Sequence, residues 1–110
     1  MKKPKFDRPT FNEEVYAITR LIPKGRVSTY GAIAAAIEQT NRARMVGQAL
    51  HICPAGTPAH RVVNRSGILT GKLFFGGNRM QELLEDEGVE VQDDRVVNFK
   101  TLFWSPLEEL

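Results

Sequence analysis

The stretch STYGAIAAAIEQTNRARMVGQAL, residues 28–50, decides the fold that this sequence predicts. Ser28 or Thr29 can cap a helix of small apolar residues that continues through Ile37. After the short turn QTN, a further helix begins near Asn41 and ends around Pro54, with apolar residues at helical spacing on one face. Two helices joined by a tight turn predict a helix-turn-helix.

One more helix is predicted on each side of this unit. Thr10, with Glu13 three residues on, forms a capping box for the first helix, whose apolar positions repeat as far as Ile22. Near the other end, Asn78 can cap a last helix that stops before Gly88.

The remaining segments predict short strands and loops. RVV and IL flank the turn NRSG, residues 64–67, which is typical of a small hairpin or wing. GKLFFGGN, residues 71–78, is expected to be a loop. The tail predicts one or two strands around a DD turn and an apolar segment containing Trp104. The expected fold is mainly α with a small β-hairpin: a single domain, residues 1–110, with a winged helix-turn-helix core.

Composition and charge indicate the class of partner. The 110 residues are 42% hydrophobic and 25% charged, which suits one soluble domain. There is no apolar run of roughly 20 residues and no signal-peptide pattern, so a cytosolic protein that does not bind membranes is expected. From Arg20 through Arg79 nine basic residues face one acidic residue, whereas the rest of the chain holds 6 basic and 12 acidic residues. So basic a segment predicts a polyanion partner such as DNA.

Two features of the second predicted helix of this unit bear on its partner. Arg42 and Arg44 lie in its first turn, where the helix dipole disfavours cations, so an external phosphate explains them better than helix stability does. Gly47 costs about 1 kcal/mol relative to alanine inside a helix. It therefore indicates the close approach of either DNA or another helix.

The segment GTPAHRVVNRSG, residues 56–67, is arranged like an active-site loop without a nucleophile, because Ala59 stands between Pro58 and His60. The single cysteine, Cys53, comes earlier and has no acid positioned beside it, which is typical of a small buried apolar residue. Neither the number nor the spacing of His51, Cys53 and His60 matches a zinc site. No metal or other cofactor is expected.

Five motifs together carry a family resemblance. IPKGRVSTYGAIA, RARMVGQAL, PAHRVVNRSG, FFGG and LLEDEGVEV, in this order within residues 11–91, resemble the DNA-binding domain of the O6-alkylguanine-DNA alkyltransferases. That family flips alkylated guanine out of the duplex and moves the alkyl group to a cysteine between the proline and histidine of its motif, a position held here by Ala59. Small chains with this replacement are the alkyltransferase-like proteins. Since an alanine methyl group has no lone pair, the resemblance implies a non-enzymatic protein that binds the lesion without repairing it.

The resemblance also implies roles for individual residues. Tyr30 would press on the phosphate beside the target nucleotide, and Arg44 would fill the gap left by the flipped base, with the helix in the minor groove. The DNA-contacting set is expected to be Tyr30, Arg42, Ala43, Arg44, Gly47 and Gln48. The lesion pocket is expected to contain Tyr30, Ala59, His60, Arg61, Val62, Phe74, Phe75 and Gly76.

His60 and Glu87, which would activate a thiol in the family, are expected here to form a structural pair. The segment between Cys53 and Ala59 is shorter than in the family and the loop before Gly76 is longer, which predicts a pocket for alkyl groups larger than methyl. The implied partners of this monomer are duplex DNA containing O6-alkylguanine and the proteins of nucleotide excision repair. Two alternatives stay open, a sequence-specific regulator and an alkyltransferase that uses Cys53.

Overall fold

The computed structural model describes residues 6–110, beginning with helix α1, Arg8–Arg20. The predicted capping box at Thr10 is wrong. Asp7 is the cap, because its carboxylate accepts a hydrogen bond of 3.0 Å from the Thr10 amide, and a proline suits the first turn that follows. The helix also ends earlier than its apolar spacing suggests, so that Ile22 is buried beyond its end.

The predicted helix-turn-helix is confirmed in its two helices. Helix α2, Tyr30–Ala36, is capped by Thr29, whose hydroxyl accepts a hydrogen bond of 3.0 Å from the Ala32 amide. A 3-10 turn, Thr40–Arg42, leads into α3, Ala43–His51, which packs against α2. Two boundaries need correction. Arg42 precedes α3 instead of lying in its first turn, and α3 ends before Pro54.

The hairpin predicted around NRSG is wrong. Strand β2, Val62–Val63, pairs in parallel with β1, Ser28–Thr29, while Ile68 bridges to a residue of the tail. The cause is local, because the Asn64 side chain accepts hydrogen bonds of 2.9 Å from the amides of Ser66 and Ile68 and folds the segment into a tight loop.

The predicted DD turn is confirmed, and it belongs to the small hairpin of this fold. Strand β3, Val91–Gln92, pairs antiparallel with β4, Arg95–Val96. Asp93 and Asp94 both have positive φ, as a two-residue hairpin turn requires.

Short helices complete the chain. The predicted loop contains one helical turn, α4, Lys72–Phe75, because glycines stand on both sides of it and not within it. Helix α5, Arg79–Asp86, follows Asn78 as predicted, although that side chain makes no capping hydrogen bond. Helices α6, Phe99–Leu102, and α7, Pro106–Glu109, lie in the tail.

Two buried clusters hold these elements together. The first lies among α1, α2 and α3 and includes Trp104, and the second joins β2, α5 and the β3–β4 hairpin. The Tyr16 hydroxyl donates a hydrogen bond of 2.9 Å to the Ala49 carbonyl, which fixes α1 against α3. The Trp104 amide donates to the Val27 carbonyl at 2.7 Å, so the tail is anchored beside β1. None of the helices in residues 6–110 has the length and apolar character needed to span a membrane.

Candidate nucleic-acid interface

Helix α3 presents one face to the core and one to solvent. Positions i, i+3, i+4 and i+7 of a helix share a face. The core side holds Val46, Ala49 and Leu50, all buried. The outward face, called the α3 face below, consists of Arg44, Gly47, Gln48 and His51.

Arg44 is the cation on this face that is left for an external ligand. Its side chain is exposed, and it forms no hydrogen bond or ion pair with any residue between 6 and 110. Arg8, from the first turn of α1, adds a second positive charge, because its guanidinium donates a hydrogen bond of 3.2 Å to Gln48 Oε1. The α3 face can therefore attract a phosphate backbone.

Arg42 is held by the protein itself. Its Nε donates a hydrogen bond of 2.8 Å to Gln39 Oε1, and its guanidinium carbon lies 3.8 Å from the centre of the Phe6 ring. Such a cation–π contact stabilises the side chain against its own fold. Arg42 stands beside the α3 face, half-buried, and its charge is partly committed to these contacts.

A cavity of about 150 Å³ opens next to the α3 face. Helix α3 and the residues that follow it form one wall, and the loop before β2 forms a second wall. The remaining walls come from α2 and from α4 with the residue that precedes it. The lining residues are Tyr30, Gly47, Leu50, His51, Cys53, Thr57, Ala59, Gly71, Phe74 and Phe75.

Tyr30 forms the wall nearest α3. A Cβ atom added to Gly47 would lie 3.7 Å from the Tyr30 ring, which is an ordinary contact. Gly47 therefore lies where α2 packs on α3, but this packing does not require a glycine. Burial raises the pKa of Tyr30, against a smaller lowering effect of the hydrogen bond with Thr70, and the phenol stays protonated at neutral pH. The Tyr30 oxygen accepts that bond from the Thr70 hydroxyl at 3.3 Å, so its own proton is available to a phosphate.

Ala59 forms the opposite wall at the start of a 3-10 turn, Ala59–Arg61. The Ala59 amide donates a hydrogen bond of 2.8 Å to the Thr57 carbonyl, and both residues line the cavity. Cys53 also lines the cavity while packing against the first core cluster. The prediction that Cys53 is a small buried apolar residue is therefore only half right.

The mouth of the cavity is aromatic. The rings of His51 and Phe74 lie 3.9 Å apart, centre to centre, and Phe74 is exposed. Ile52 and Leu73, the neighbours of this pair in sequence, are exposed as well. A planar apolar group entering the cavity would pass these rings, and aromatic side chains are the groups on which nucleobases stack.

Behind the loop, His60 and Arg61 both contact Glu87. Glu87 Oε2 lies 3.0 Å from His60 Nε2 and 2.6 Å from an Arg61 terminal nitrogen, and Arg61 also donates a hydrogen bond of 2.8 Å to the Ile22 carbonyl. Burial alone would raise the pKa of Glu87, but the hydrogen bonds and charges of Arg61 and His60 outweigh it and lower this pKa to about 2. The three side chains join the loop to α5.

This cluster predicts a loss of stability in acid. The pKa of Glu87 is lowered from 4.5 to about 2 by folding, so its contribution is complete above pH 4.5 and disappears as the pH falls toward 2. The shift corresponds to about 3 kcal/mol of unfolding free energy. Between pH 5 and pH 2, the free energy of unfolding of the wild type should fall by about 3 kcal/mol more than that of Glu87→Gln. Urea unfolding at the two pH values measures both falls. Parallel losses in the two proteins would contradict the assignment.

The structure separates the eight predicted pocket residues into two groups. Four line the cavity: Tyr30, Ala59, Phe74 and Phe75. The other four do not. His60 and Arg61 point to Glu87, Val62 is buried in the first core cluster, and Gly76 follows α4. Part of this follows from the 3-10 turn Ala59–Arg61, which has three residues per turn, so the side chains of His60 and Arg61 point in directions different from that of Ala59.

Sequence reasoning missed several residues of the cavity. Gly47 is predicted to meet DNA or another helix but not to line a pocket, although the helical spacing from Gly47 to His51 places both on the same side of α3. Thr57 and Gly71 carry no signal in the sequence, since their position depends on how the loops fold. In the described chain, residues 6–110, no three His, Cys, Asp or Glu side chains come together as a metal site.

Comparison with known proteins agrees with this geometry. Residues 10–89 match the 6-O-methylguanine DNA methyltransferase DNA-binding domain. The chain belongs to this family.

Within the alkyltransferase DNA-binding-domain family, this chain is similar to two small proteins along nearly their whole length. It is 37% identical over 103 residues to alkyltransferase-like protein 1 of Schizosaccharomyces pombe, which covers 87% of this chain and 95% of that protein. It is also 37% identical over 101 residues to a DNA base-flipping protein of Vibrio parahaemolyticus, covering 87% and 97% respectively.

A solved structure of the same family shares the fold. The crystal structure of S. pombe Atl1 in complex with damaged DNA containing O6-carboxymethylguanine superposes with a TM-score of 0.83 at 33% identity. The match covers 92% of this chain and 100% of that one. The predicted fold class, a mainly helical domain of the alkyltransferase type with a small β-hairpin, is thereby confirmed, although the hairpin is β3–β4 and not the predicted wing.

Proposed function

We propose that this protein binds duplex DNA through the α3 face and holds a guanine alkylated at O6, flipped out of the helix, in the cavity beside Ala59. It leaves the alkyl group in place and marks the lesion for nucleotide excision repair. The observation that carries the proposal is the contiguity of two features: an exposed Arg44 with no side-chain partner among residues 6–110, and a cavity that opens on the same face of α3.

The size and lining of the cavity support a flipped base as its occupant. Its volume of about 150 Å³ is well below the roughly 300–1,000 Å³ of sites for drug-sized ligands, so it suits one small planar group. Aromatic rings lie at its mouth, and the loop before β2 forms its far wall. An alkyl group larger than methyl can extend toward the mouth, where Phe74 is exposed.

Ala59 supports binding without transfer. The family resemblance assigns the acceptor cysteine to this position, and a methyl group offers no electron pair to an alkyl carbon. His60 and Glu87 are already engaged with each other and with Arg61, which gives them a structural function here. The similar protein of V. parahaemolyticus is named for base flipping, and S. pombe Atl1 was crystallised with damaged DNA.

A protein that cannot remove the lesion can act only by recruiting others, so hand-over to the damage-recognition proteins of nucleotide excision repair completes the proposal. We expect it to act as a monomer, because one α3 face and one cavity make a full binding site. Base extrusion through the minor groove bends the duplex, which presents a small adduct as a larger distortion.

The experiment is a titration of one duplex with and without O6-methylguanine at a fixed salt concentration, which must be fixed because phosphate contacts depend on it. Affinity should be at least about tenfold higher for the alkylated duplex, since a weakened pair costs less to open. Mass spectrometry of the protein after incubation with excess alkylated duplex should show no added alkyl group.

Other outcomes identify the alternatives. Equal affinity for both duplexes, with a preference for one undamaged sequence, would indicate a helix-turn-helix regulator. A stoichiometric alkyl adduct on Cys53 would indicate an alkyltransferase, an alternative that gains interest because Cys53 lines the same cavity as Ala59.

A further inference from the structure

One hydroxyl group at the cavity is buried without a partner. Thr57 Oγ1 is shielded from solvent and has no hydrogen-bond partner in the part of the chain that the structure describes, and Thr57 lines the cavity. Ser28 Oγ is in the same condition, but it lies on β1 and does not line the cavity. Unpaired buried hydroxyl groups are rare because each lowers the free energy of unfolding, so a ligand that forms a hydrogen bond with Thr57 would remove this cost.

The position of Thr57 indicates which part of a ligand it would meet. The hydrogen bond from the Ala59 amide to the Thr57 carbonyl holds the two residues in one tight turn. If the proposed function is right, Ala59 marks the place of the group attached to O6. Thr57, which lines the same cavity two residues before Ala59, is then a neighbour of that substituent.

Other polar side chains at the cavity differ from Thr57. The Tyr30 oxygen accepts a hydrogen bond from Thr70 and keeps its own proton free, and His51 is exposed, with its ring centre 3.9 Å from that of Phe74. Within residues 6–110, the Thr57 hydroxyl is the side-chain group of the lining that is both shielded from solvent and without a hydrogen-bond partner. A hydroxyl group both donates and accepts, so it can pair with an alcohol or with an ether oxygen.

We propose that Thr57 selects the chemistry of the O6 substituent, favouring one that carries an oxygen atom, such as 2-hydroxyethyl, over a hydrocarbon of the same size, such as propyl. This inference rests on the proposed function and names the adduct class of the same site. A propyl group would fill the space and leave the Thr57 hydroxyl unpaired, whereas a hydroxyethyl group would pair with it.

The test measures the dissociation constants of four duplexes that differ in one base: guanine, O6-methylguanine, O6-propylguanine and O6-(2-hydroxyethyl)guanine. The quantity compared is the Kd for propyl divided by the Kd for hydroxyethyl. Thr57→Val keeps the shape and removes the hydroxyl, and should lower this ratio about five- to tenfold, the factor of one neutral hydrogen bond. Thr57→Ser keeps the hydroxyl and should preserve the ratio.

Ser28→Ala is the matched control, because it also removes a buried unpaired hydroxyl but outside the cavity, and it should leave the ratio unchanged. Thermal unfolding of each variant confirms that the fold is intact. An unchanged ratio in Thr57→Val, or an equal fall in Ser28→Ala, overturns the inference while a preference for alkylated duplexes preserves the proposed function. Absence of any such preference overturns both.

Discussion

Replacing Glu87 by glutamine is expected to lower the free energy of unfolding at pH 7 by about 3 kcal/mol, the typical cost of leaving a buried charge without its partner. The Glu87 carboxylate receives hydrogen bonds from both Arg61 and His60, and the Arg61 side chain is only 11% exposed. Glutamine has nearly the same shape, so the loss measures charge pairing and not packing. Urea unfolding gives the free energy, and a fall in Tm of roughly 10 °C should accompany it.

Asp86→Asn provides the control for this measurement. Asp86 precedes Glu87 at the end of α5 and is exposed, and its side chain forms no hydrogen bond or ion pair with residues 6–110. Its substitution should change the free energy of unfolding by less than about 0.5 kcal/mol. Similar values for the two variants would show that the Arg61–Glu87 contact contributes no more than a surface charge.

The second large effect concerns DNA. Arg44→Ala is expected to weaken binding to a duplex containing O6-methylguanine by about 2 kcal/mol, or roughly 30-fold, as truncation of a central interface arginine commonly does. Arg44 is exposed on the α3 face, next to the cavity that would receive the base. A side chain that fills the vacated space offsets the cost of unstacking, so the variant should also reduce the fluorescence rise of a 2-aminopurine probe beside the lesion.

Two variants separate this role from simple charge. Arg44→Lys keeps the charge and loses the planar group, so it should recover binding to undamaged DNA more fully than binding to the lesion. Arg42→Ala removes a neighbouring charge that is partly committed to Gln39 and Phe6, and should cost less than Arg44→Ala. Equal losses for Arg42 and Arg44, with the fluorescence change intact, would reduce Arg44 to a phosphate contact.

The helices of this fold could be predicted from the sequence, because capping and apolar spacing are local signals. Thr29 caps α2 as its sequence context indicates, and Gly88, with φ of 87°, ends α5. The parallel pairing of Ser28–Thr29 with Val62–Val63 could not be predicted, since two residues in each strand leave no periodicity to detect. The cap of α1 is not predictable from the sequence, because Asp7 and Thr10 are both good caps and only the structure shows that Thr10 donates to Asp7.

The residues of the candidate site also divide into those that the sequence predicts and those that it does not. Tyr30, Ala59, Phe74 and Phe75, which the resemblance assigns to the lesion pocket, line the cavity, and their contact with a lesion stays a prediction. The ion pair between Arg61 and Glu87 links residues far apart in the chain. Neither segment contains a local signal that predicts the contact of Arg61 with Glu87 instead of with the cavity.

The pairing of β1 with β2 affects the order of binding affinities expected for different DNA adducts. Tyr30 follows β1 directly, and the turn that carries Ala59 precedes β2 directly, so one pair of strands fixes the two facing walls. The conformational entropy of arranging them is lost once, during folding, and does not recur at each encounter with DNA. Because the walls of this cavity change little on binding, differences in affinity among adducts that fit it equally well arise from the DNA duplex. The thermal stability of each modified base pair, a property of DNA alone, should then order the affinities of these adducts.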